Sequence, residues 1–413
     1  MKILQLCKKF PFPLKDGESI AITNLSKALH ALGCNVSLLS MNTKKHYFDL
    51  SRLPADFNHY ASIHEVKIDN ELKLKDAFFN LFSKDSYHIS RFVSEDFELA
   101  LKRILRKNKF DIIQLETLYL APYIPVIRKY SDAIIAMRAH NVEHEIWERI
   151  AGNTCFLPKK WYLKHLAKKL KRYEVTHLND YDLLVPITDR DLGKFRKMGY
   201  KNGVQVIPIG VDQEDYSPDF SAFNKPLSIS FIGSLDWMPN QEGLNWFLEN
   251  VWPKATKQFP ELSLHVAGRN TPQWMLNMNV KNVKFYGEVP CAASFINQHP
   301  IMVVPLLSGS GMRAKILEGM ALGRVVLTTR IGLEGIEAKP KKEVLIADKV
   351  NEFLDAITYC YKNNENLYRI GHNALEFVGN NYDNHQIAAT LATSYKMHIE
   401  KSGNRQLNSV RES

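Results

Sequence analysis

The segment with the clearest chemical content is Gly309-Ser310-Gly311-Met312-Arg313-Ala314-Lys315-Ile316-Leu317-Glu318, which opens a helix predicted to reach about Leu322. Its glycines let the backbone approach an anion closely, and the first N–H groups of a helix favour phosphate. Arg313 and Lys315 lie at the helix end where the dipole disfavours positive charge, so a negative ligand is expected to offset the repulsion. Glu318 is placed to accept hydrogen bonds from sugar hydroxyls. The segment predicts a phosphate site.

Two other interpretations of this segment stay open. In one, the glycines only cap a helix whose Arg313 and Lys315 point to water. In the other, the spacing Gly309-x-Gly311-x-x-Ala314 is a dinucleotide-binding fingerprint. That fingerprint expects the first strand–helix unit of a domain and an acidic residue after the next strand. Here the segment follows a late strand, and Thr328-Thr329-Arg330 supplies no acid. The phosphate interpretation is therefore favoured.

A second candidate is Arg138-Ala139-His140-Asn141-Val142-Glu143-His144, which follows the predicted strand Ala133–Met137. It places the imidazole of His140 and polar partners at the carboxyl end of a strand, and a structural histidine cluster is the alternative. His140, His144 and Glu148 are spaced as on one face of a helix, which would suit zinc. Three ligands on one helix face give poor tetrahedral geometry, and no Cys or His cluster supports them. No metal is expected.

A third candidate is the loop Pro11–Ser19 after the first predicted strand. Gly17 at the start of the following helix would let backbone N–H groups face a phosphate or an acceptor. A plain turn with Asp16 or Ser19 as the helix N-cap accounts for the same residues equally well.

The charge of the chain is concentrated in one segment. Lys and Arg number 54 against 44 Asp and Glu, a formal charge of +10. Zinc-finger, RNA-binding and low-complexity basic signatures are missing, so nucleic acid is not an expected partner. The basic residues are Lys159, Lys160, Lys164, Lys168, Lys169, Lys171 and Arg172. Among them Tyr162, Leu163, Leu166, Leu170 and Tyr173 recur at helical spacing. Such a helix either lies on anionic lipid or packs in the core with a solvated lysine face.

Short apolar runs rich in β-branched residues alternate with helical segments in two series. The predicted strands of the first series are Ile3–Cys7, Val36–Ser40, Ile112–Leu115, Ala133–Met137, Leu183–Ile187 and Val204–Ile207. Those of the second are Ser228–Ile232, Leu262–Ala267, Val283–Tyr286, Ile301–Val304, Val325–Thr328 and Val344–Ile346. This alternation predicts an α/β protein with two Rossmann-like, doubly wound domains that face a cleft.

Length and composition agree with two domains. A chain of 413 residues exceeds the usual size of one core, and 45% hydrophobic with 24% charged residues is ordinary globular usage. The predicted domains are 1–212 and 227–383, joined by a linker at 213–226 and followed by a helix at 384–401 and a frayed tail at 402–413. Five scattered cysteines, no apolar run of membrane-spanning length and no signal peptide predict a cytoplasmic location.

An ordered set of motifs resembles the family-4 glycosyltransferases, which are retaining nucleotide-sugar transferases of the GT-B fold. The resemblance covers almost the whole chain. The motifs are the Gly17 loop, Arg138-Ala139-His140-Asn141, Val206–Asp212, Phe231-Ile232-Gly233, Val266-Ala267-Gly268, Gly311–Glu318 and Gly319–Gly323. The resemblance implies a second domain that holds a nucleotide diphosphate, and a terminal helix 384–401 that crosses back to the first domain.

The same resemblance implies roles for individual residues. Arg313 and Lys315 resemble a basic pair at the diphosphate, and Glu318 resembles the glutamate that binds the ribose hydroxyls. His140 resembles the histidine that contacts the donor sugar near the reacting centre, which makes His140, Arg313 and Lys315 the expected catalytic residues. The donor-binding set is completed by Gly17, Gly233, Gly311 and Met312.

Two departures from the family pattern bear on activity. The family often has a second glutamate eight residues before Glu318, where this chain has Ser310. It often has Arg and Lys after the first strand of the second domain, where Ser234 and Asn240 stand here. A diphosphate leaving group needs cations, so Arg313 and Lys315 are expected to supply them.

The implied activity is metal-independent, retaining transfer of a hexosyl or related group. The donor would be a UDP-sugar or GDP-sugar, with no cofactor, and the acceptor a glycan or a lipid-linked molecule of cell-surface polysaccharide synthesis. The basic segment Lys159–Arg172 would suit peripheral contact with an anionic membrane at its inner face. The alternatives are a non-catalytic sugar-nucleotide-binding protein and a nucleotide-sugar 2-epimerase.

Overall fold

The computed structural model describes residues 1–14, 16–71, 80, 83, 85–309 and 311–411. It divides into two compact units, one formed by Met1–Gly210 with Asn384–Ser413 and the other by Val211–Asp383. Among the described residues, no helix is both long enough and apolar enough to span a membrane.

Thirteen strands are described. They are β1 (Lys2–Cys7), β2 (Asn35–Thr43), β3 (Ser62–Ile68), β4 (Ile112–Leu115), β5 (Ile134–Ala139), β6 (Leu183–Pro186), β7 (Gly203–Val204), β8 (Ser228–Ile232), β9 (Ser263–Ala267), β10 (Val283–Gly287), β11 (Ile301–Val304), β12 (Val325–Thr328) and β13 (Leu345–Ile346). All the pairs between them are parallel, so each sheet is of the type buried on both faces.

Fifteen α-helices lie within the described ranges. They are α1 (Gly17–Ala31), α2 (Tyr87–Ser90), α3 (Glu95–Lys107), α4 (Ile124–Tyr130), α5 (Glu143–Asn153), α6 (Leu157–Thr176), α7 (Asp189–Lys197), α8 (Met238–Asn250), α9 (Trp252–Gln258), α10 (Gln273–Leu276), α11 (Ala292–Asn297), α12 (Ala314–Ala321), α13 (Val350–Lys362), α14 (Asn364–Asn381) and α15 (Asn384–Arg411). Short 3-10 segments are Lys44–His46, Leu50–Arg52, Leu118–Tyr123, Gln213–Asp215 and Phe220–Asn224.

The first unit is built on a seven-stranded sheet in the order β3-β2-β1-β4-β5-β6-β7. Along β1, Leu4 and Leu6 pack in one hydrophobic cluster while Ile3 and Cys7 pack in another. This alternation shows that both faces of the sheet are covered. Helix α15 contributes Ile387, Ala388, Leu391, Ala392 and Tyr395 to the second of these clusters, so the beginning of this last helix is part of the first unit's core.

The second unit is built on a six-stranded sheet in the order β10-β9-β8-β11-β12-β13. Its core includes Ile229 and Phe231 of β8 together with Ile301 and Val303 of β11, all of them buried. In both sheets the strand order reverses once, between β1 and β4 in the first and between β8 and β11 in the second. Ligands of doubly wound sheets bind outside the carboxyl ends of strands at such a reversal.

The α/β prediction with two Rossmann-like sheets is confirmed, and two details differ from the sequence expectations. Strand β3 was not expected, because this edge strand alternates polar residues such as His64 and Lys67 with partly buried ones. The tail at 402–413 was expected to be frayed, whereas α15 continues to Arg411.

Candidate functional site

The loop after β11 in the second unit brings the predicted phosphate segment to the reversal of the sheet. Gly309 and Gly311 both have positive φ, +116° and +78°, a conformation that favours glycine. A Cβ on Gly309 would lie 2.5 Å from an η nitrogen of Arg313, so a side chain there would displace the guanidinium. Ser310 lies outside the described residues. The glycines therefore shape the loop around Arg313.

Arg313 is the N-cap residue of α12 and is buried, as is Met312 before it. The guanidinium carbon lies 5.7 Å from the centre of the Trp237 ring. The arginine thus sits at the start of the helix within the fold rather than extending into water. This placement argues against a loop that merely caps the helix.

Lys315 lies two residues beyond Arg313 and is held by the end of β8 and the first turn of α8. Its Nζ donates to Oδ1 of Asn240 at 2.8 Å and to the carbonyl of Ile232 at 3.3 Å. Burial and the adjacent positive charge of Arg313 lower the pKa of Lys315 to about 7, against the opposing effect of Glu318. A negative ligand beside these two groups would raise that pKa again and relieve the repulsion.

The residues that follow β8 hold Lys315 in place and supply no cation of their own. A Cβ on Gly233 would lie 3.0 Å from Nζ of Lys315 and 2.8 Å from Nδ2 of Asn240. Asn240 also donates to the carbonyl of Ser234 at 2.8 Å. Asn240, at one of the two places where the resembling family has basic residues, is therefore the residue that fixes the lysine.

Arg269 is a functional candidate that the sequence analysis missed. It follows β9 and donates from Nη2 to the hydroxyl of Ser234, in the loop between β8 and α8. Since Asn240 donates to the carbonyl of Ser234 and accepts from Lys315, Ser234 links this third cation to the group that holds Lys315. Its position directly after Val266-Ala267-Gly268, one of the family-like motifs, was the available signal.

Glu318 lies on α12, less than one turn beyond Lys315. Burial raises its pKa, and a hydrogen bond from the Tyr216 hydroxyl together with the charge of Lys315 partly offsets that rise. Burial and the Glu318 charge in turn raise the pKa of Tyr216. The carboxylate is thereby held in place as a hydrogen-bond acceptor, as a partner of hydroxyl groups must be.

In the first unit, His140 directly follows β5 and is fixed by a buried carboxylate. Its Nε2 lies 3.0 Å from Oε2 of Glu116, and Arg138 Nη1 lies 3.6 Å from the same oxygen. Burial alone would raise the pKa of Glu116, but the His140 hydrogen bond and the Arg138 charge lower it below its usual range. The side chains of Gln5 and Gln114 also donate to Glu116. Glu116 is therefore ionised and sets the orientation of the imidazole.

The loop that carries Gly17 is also organised by ion pairs. Asp16 is the N-cap of α1, accepting from the Ser19 amide at 3.0 Å, so the plain-turn interpretation describes its local geometry. Lys9 lies 2.6 Å from Asp16 and 3.5 Å from Glu18. Although burial would raise the pKa of Glu18, the charges of Lys8 and Lys9 lower it to about 2. Gly17 thus opens α1 between two paired carboxylates.

Beyond His140, a small cavity is lined in part by Glu143, Glu174 and Asn141. Burial raises the pKa of Glu143 to about 7, and the Tyr119 hydroxyl donates to this carboxyl at 3.0 Å. Sequence analysis missed the roles of Glu116, Glu143 and Glu174, because their partners lie on elements distant in the chain.

The helical zinc arrangement considered for His140, His144 and Glu148 is wrong. His140 precedes the helix, since α5 begins only at Glu143. His144 Nδ1 contacts Glu174 at 2.5 Å, whereas His140 contacts Glu116. Across the described parts of the chain, no cluster of three or more His, Cys, Asp or Glu has the arrangement of a metal site.

The basic segment forms helix α6, and its apolar stripe packs within the first unit. Leu163, Leu166 and Leu170 are buried. Lys169 was predicted to lie on the basic face, but it is buried as well and donates to the carbonyl and side chain of Asn80. Its position on the helix falls on the packed side, so the exposed cations come from the remaining members of the segment.

Comparisons with known proteins agree with this architecture. Sucrose-phosphate synthase from Thermosynechococcus elongatus superposes with a TM-score of 0.74 at 16% identity, covering 97% of this chain and 100% of that one. HepE of Anabaena in complex with UDP-glucose gives 0.64 at 14% identity, covering 95% and 100%. TarM gives 0.66 at 11% identity, covering 95% and 98%. The fold is that of the GT-B glycosyltransferases.

The sequence comparisons concern the second unit most directly. Residues 226–363 match the family of group 1 glycosyl transferases, a range that contains Gly233, Arg313, Lys315 and Glu318. A 44.6 kDa protein of the cps region of Klebsiella pneumoniae is 23% identical over 313 residues, which is 70% of this chain and 76% of that protein. The resemblance to GT-B glycosyltransferases is confirmed at this level, and the narrower assignment to family 4 stays a prediction.

Proposed function

We propose that this protein is a retaining glycosyltransferase that moves a sugar from a nucleoside-diphosphate donor to a glycan or lipid-linked acceptor. The observation that carries the proposal is the pair Arg313 and Lys315 at the start of α12, within the segment that matches group 1 glycosyl transferases. Two adjacent cations at a helix N-terminus suit a diphosphate, which supplies the negative charge that offsets their repulsion.

In the proposed reaction the bond between the sugar's anomeric carbon and the diphosphate oxygen breaks. Negative charge then develops on the diphosphate, where Arg313, Lys315 and the first N–H groups of α12 stabilise it. The acceptor hydroxyl attacks the anomeric carbon from the face that the diphosphate leaves, and its proton passes to the departing phosphate. A protein nucleophile is not required in this scheme, and neither is a metal ion.

Other residues are proposed to hold the donor. Glu318, fixed by Tyr216, would accept hydrogen bonds from the ribose hydroxyls. His140, oriented by Glu116, would donate to the sugar near the reacting carbon. The remaining proposed donor contacts are Gly17, Gly233, Gly311 and Met312, with UDP-sugars and GDP-sugars as the expected donors. HepE and the Escherichia coli trehalose-6-phosphate protein are described as complexes with UDP-glucose and UDP-2-fluoro glucose, which supports the first of these.

The proposed setting is cell-surface polysaccharide synthesis in the cytoplasm. The support is the relative in the cps region of Klebsiella pneumoniae. The exposed cations of α6 would hold the protein at an anionic membrane, where a lipid-linked acceptor is found.

The test is an assay of nucleoside-diphosphate release from UDP-, GDP-, ADP- and dTDP-sugars, with a membrane lipid extract as acceptor. We expect one donor to be consumed only with acceptor present, to give a product whose anomeric configuration, read by NMR, matches the donor. Lys315→Ala should abolish release, and Lys254→Ala, which removes an exposed lysine of α9, is the matched control. Epimerised donor without acceptor would identify a 2-epimerase. Binding without turnover across acceptors would identify a sugar-nucleotide-binding protein.

A further inference from the structure

Three large apolar side chains are exposed together where α6 begins. The exposed fractions are 67% for Phe156, 75% for Leu157 and 63% for Trp161. Full exposure of such residues is costly, since burying one is worth about 1.5–3 kcal/mol. The apolar stripe, for which the sequence left lipid contact and core packing open, is packed inside the unit, so this cluster is a separate feature.

The cluster continues directly into the exposed cations of the same helix. Leu157, Trp161, Lys164 and Lys168 follow one another at spacings of four, three and four, so they share one face of α6. All four are exposed, whereas Leu166 is buried. The outward face of α6 is therefore apolar at its N-terminal end and basic beyond it.

The charges around this face are predominantly positive. Lys159 is exposed, and Lys160 donates to the carbonyl of Gly152 at 3.0 Å. Further along the helix, Lys171 lies 3.6 Å from Glu148, so this cation is partly compensated. Lys164 and Lys168 are thus the cations best placed to meet an anionic surface next to the apolar end.

We propose that the outward face of α6, formed by Phe156, Leu157, Trp161, Lys164 and Lys168, binds an anionic lipid bilayer. The apolar residues enter the headgroup region, where aromatic rings are favoured, and the lysines contact lipid phosphates. The centre of a protein–protein interface is depleted in lysine, whereas here lysines adjoin the apolar cluster. The inference deepens the peripheral contact proposed above by naming its surface, and it does not depend on glycosyl transfer.

Co-sedimentation of the full chain with vesicles tests the proposal. We expect binding to phosphatidylcholine vesicles that contain phosphatidylglycerol, weak binding to phosphatidylcholine alone, and release at high salt. Lys164→Glu with Lys168→Glu should weaken the partition coefficient by at least about thirtyfold, since each lysine near the surface contributes about 1 kcal/mol and each glutamate adds repulsion. Trp161→Ser should weaken it about tenfold and leave the salt dependence unchanged.

Matched controls come from the second unit. Trp274→Ser removes a tryptophan that is 52% exposed on α10, and Lys254→Glu with Lys257→Glu reverses two exposed lysines on α9. Both should bind vesicles like the parent. Equal binding of parent and Trp161→Ser, equal loss in the control lysine variant, or no binding of the parent to anionic vesicles would overturn the proposal. Donor binding, measured without vesicles, should be unchanged in every variant, so failure here is distinct from failure of the proposed function.

Discussion

The charged side chains at the two sheet reversals of this protein are arranged in opposite ways. At the first, after β1, β4 and β5, two carboxylates are matched by bases: Glu18 by Lys8 and Lys9, and Glu116 by His140 and Arg138. At the second, after β8 and β11, Arg313 and Lys315 lie side by side, and burial with their mutual repulsion lowers the pKa of the lysine.

This difference indicates whether each region favours an uncharged or a negatively charged ligand. The first region is neutralised internally, so it offers oriented hydrogen-bonding groups such as the His140 imidazole without demanding charge from a ligand. The second region gains most from a ligand that brings negative charge. The negative charge of the proposed donor lies on its diphosphate, which suits the second kind of region.

The largest effect should follow from removing the lysine of the second region. Lys315→Ala is expected to lower kcat/KM for transfer by about 10²–10³-fold, because it removes a preorganised group that stabilises the leaving diphosphate. The measurement is steady-state kinetics with the preferred donor. Lys254→Ala should leave kcat/KM unchanged. A loss of kcat/KM below about fivefold in Lys315→Ala would contradict the proposed difference between the two regions.

The first region should respond less strongly. His140→Ala is expected to lower kcat/KM by about tenfold, since an ordinary hydrogen bond contributes about 0.5–1.5 kcal/mol. Because His140 is proposed to contact the sugar, binding of free nucleoside diphosphate should be unaffected. Equal weakening of diphosphate binding in this variant, seen by calorimetry, would contradict the separation of roles.

The pH dependence of diphosphate binding should report the protonation of Lys315. In the free protein Lys315 has a pKa of about 7, and a bound diphosphate raises it. Above that pKa binding must therefore take up a proton, so Kd should rise by up to about tenfold per pH unit. Lys315→Arg stays charged and should show a flat profile. A flat profile in the parent as well would mean that the lysine is not at the diphosphate.

The smallest of these effects is expected at the ribose. Glu318→Gln keeps the shape of the side chain but accepts hydrogen bonds more weakly, so KM for the donor should rise about fivefold to tenfold with little change in kcat. Deoxyribose donors should lose this sensitivity in part. A fall in kcat equal to the rise in KM would instead place Glu318 in the chemical step.

Much of the fold and part of the site could be predicted from the sequence, for physical reasons. Strands β4, β8, β11 and β12 have the predicted bounds, because short apolar runs rich in β-branched residues are typical of strands that are buried on both faces of a parallel sheet. The phosphate segment was singled out because two glycines and two cations at one helix start suit an anion better than they suit a solvated helix cap, and its role stays a prediction.

What escaped prediction depends on contacts between residues far apart in the chain. Asn240 holds Lys315 from helix α8, and Glu116 orients His140 from the end of a neighbouring strand. Burial of Lys169 against Asn80 and exposure of Trp161 also follow from how α6 packs. Helical spacing shows two faces of a helix but not which partner covers each.

The central claim is that the start of α12 binds a nucleoside diphosphate. Thermal unfolding with UDP, GDP, ADP, dTDP or CMP tests it, with Lys315→Ala and Glu318→Ala as site variants and Lys254→Ala as the control. A ligand that binds only the folded state adds about 2.7 kcal/mol of stability at roughly a hundredfold excess over Kd. We predict that one nucleoside diphosphate stabilises the parent and the control and fails to stabilise the site variants. No stabilisation of the parent, or equal stabilisation of Lys315→Ala, would contradict this claim.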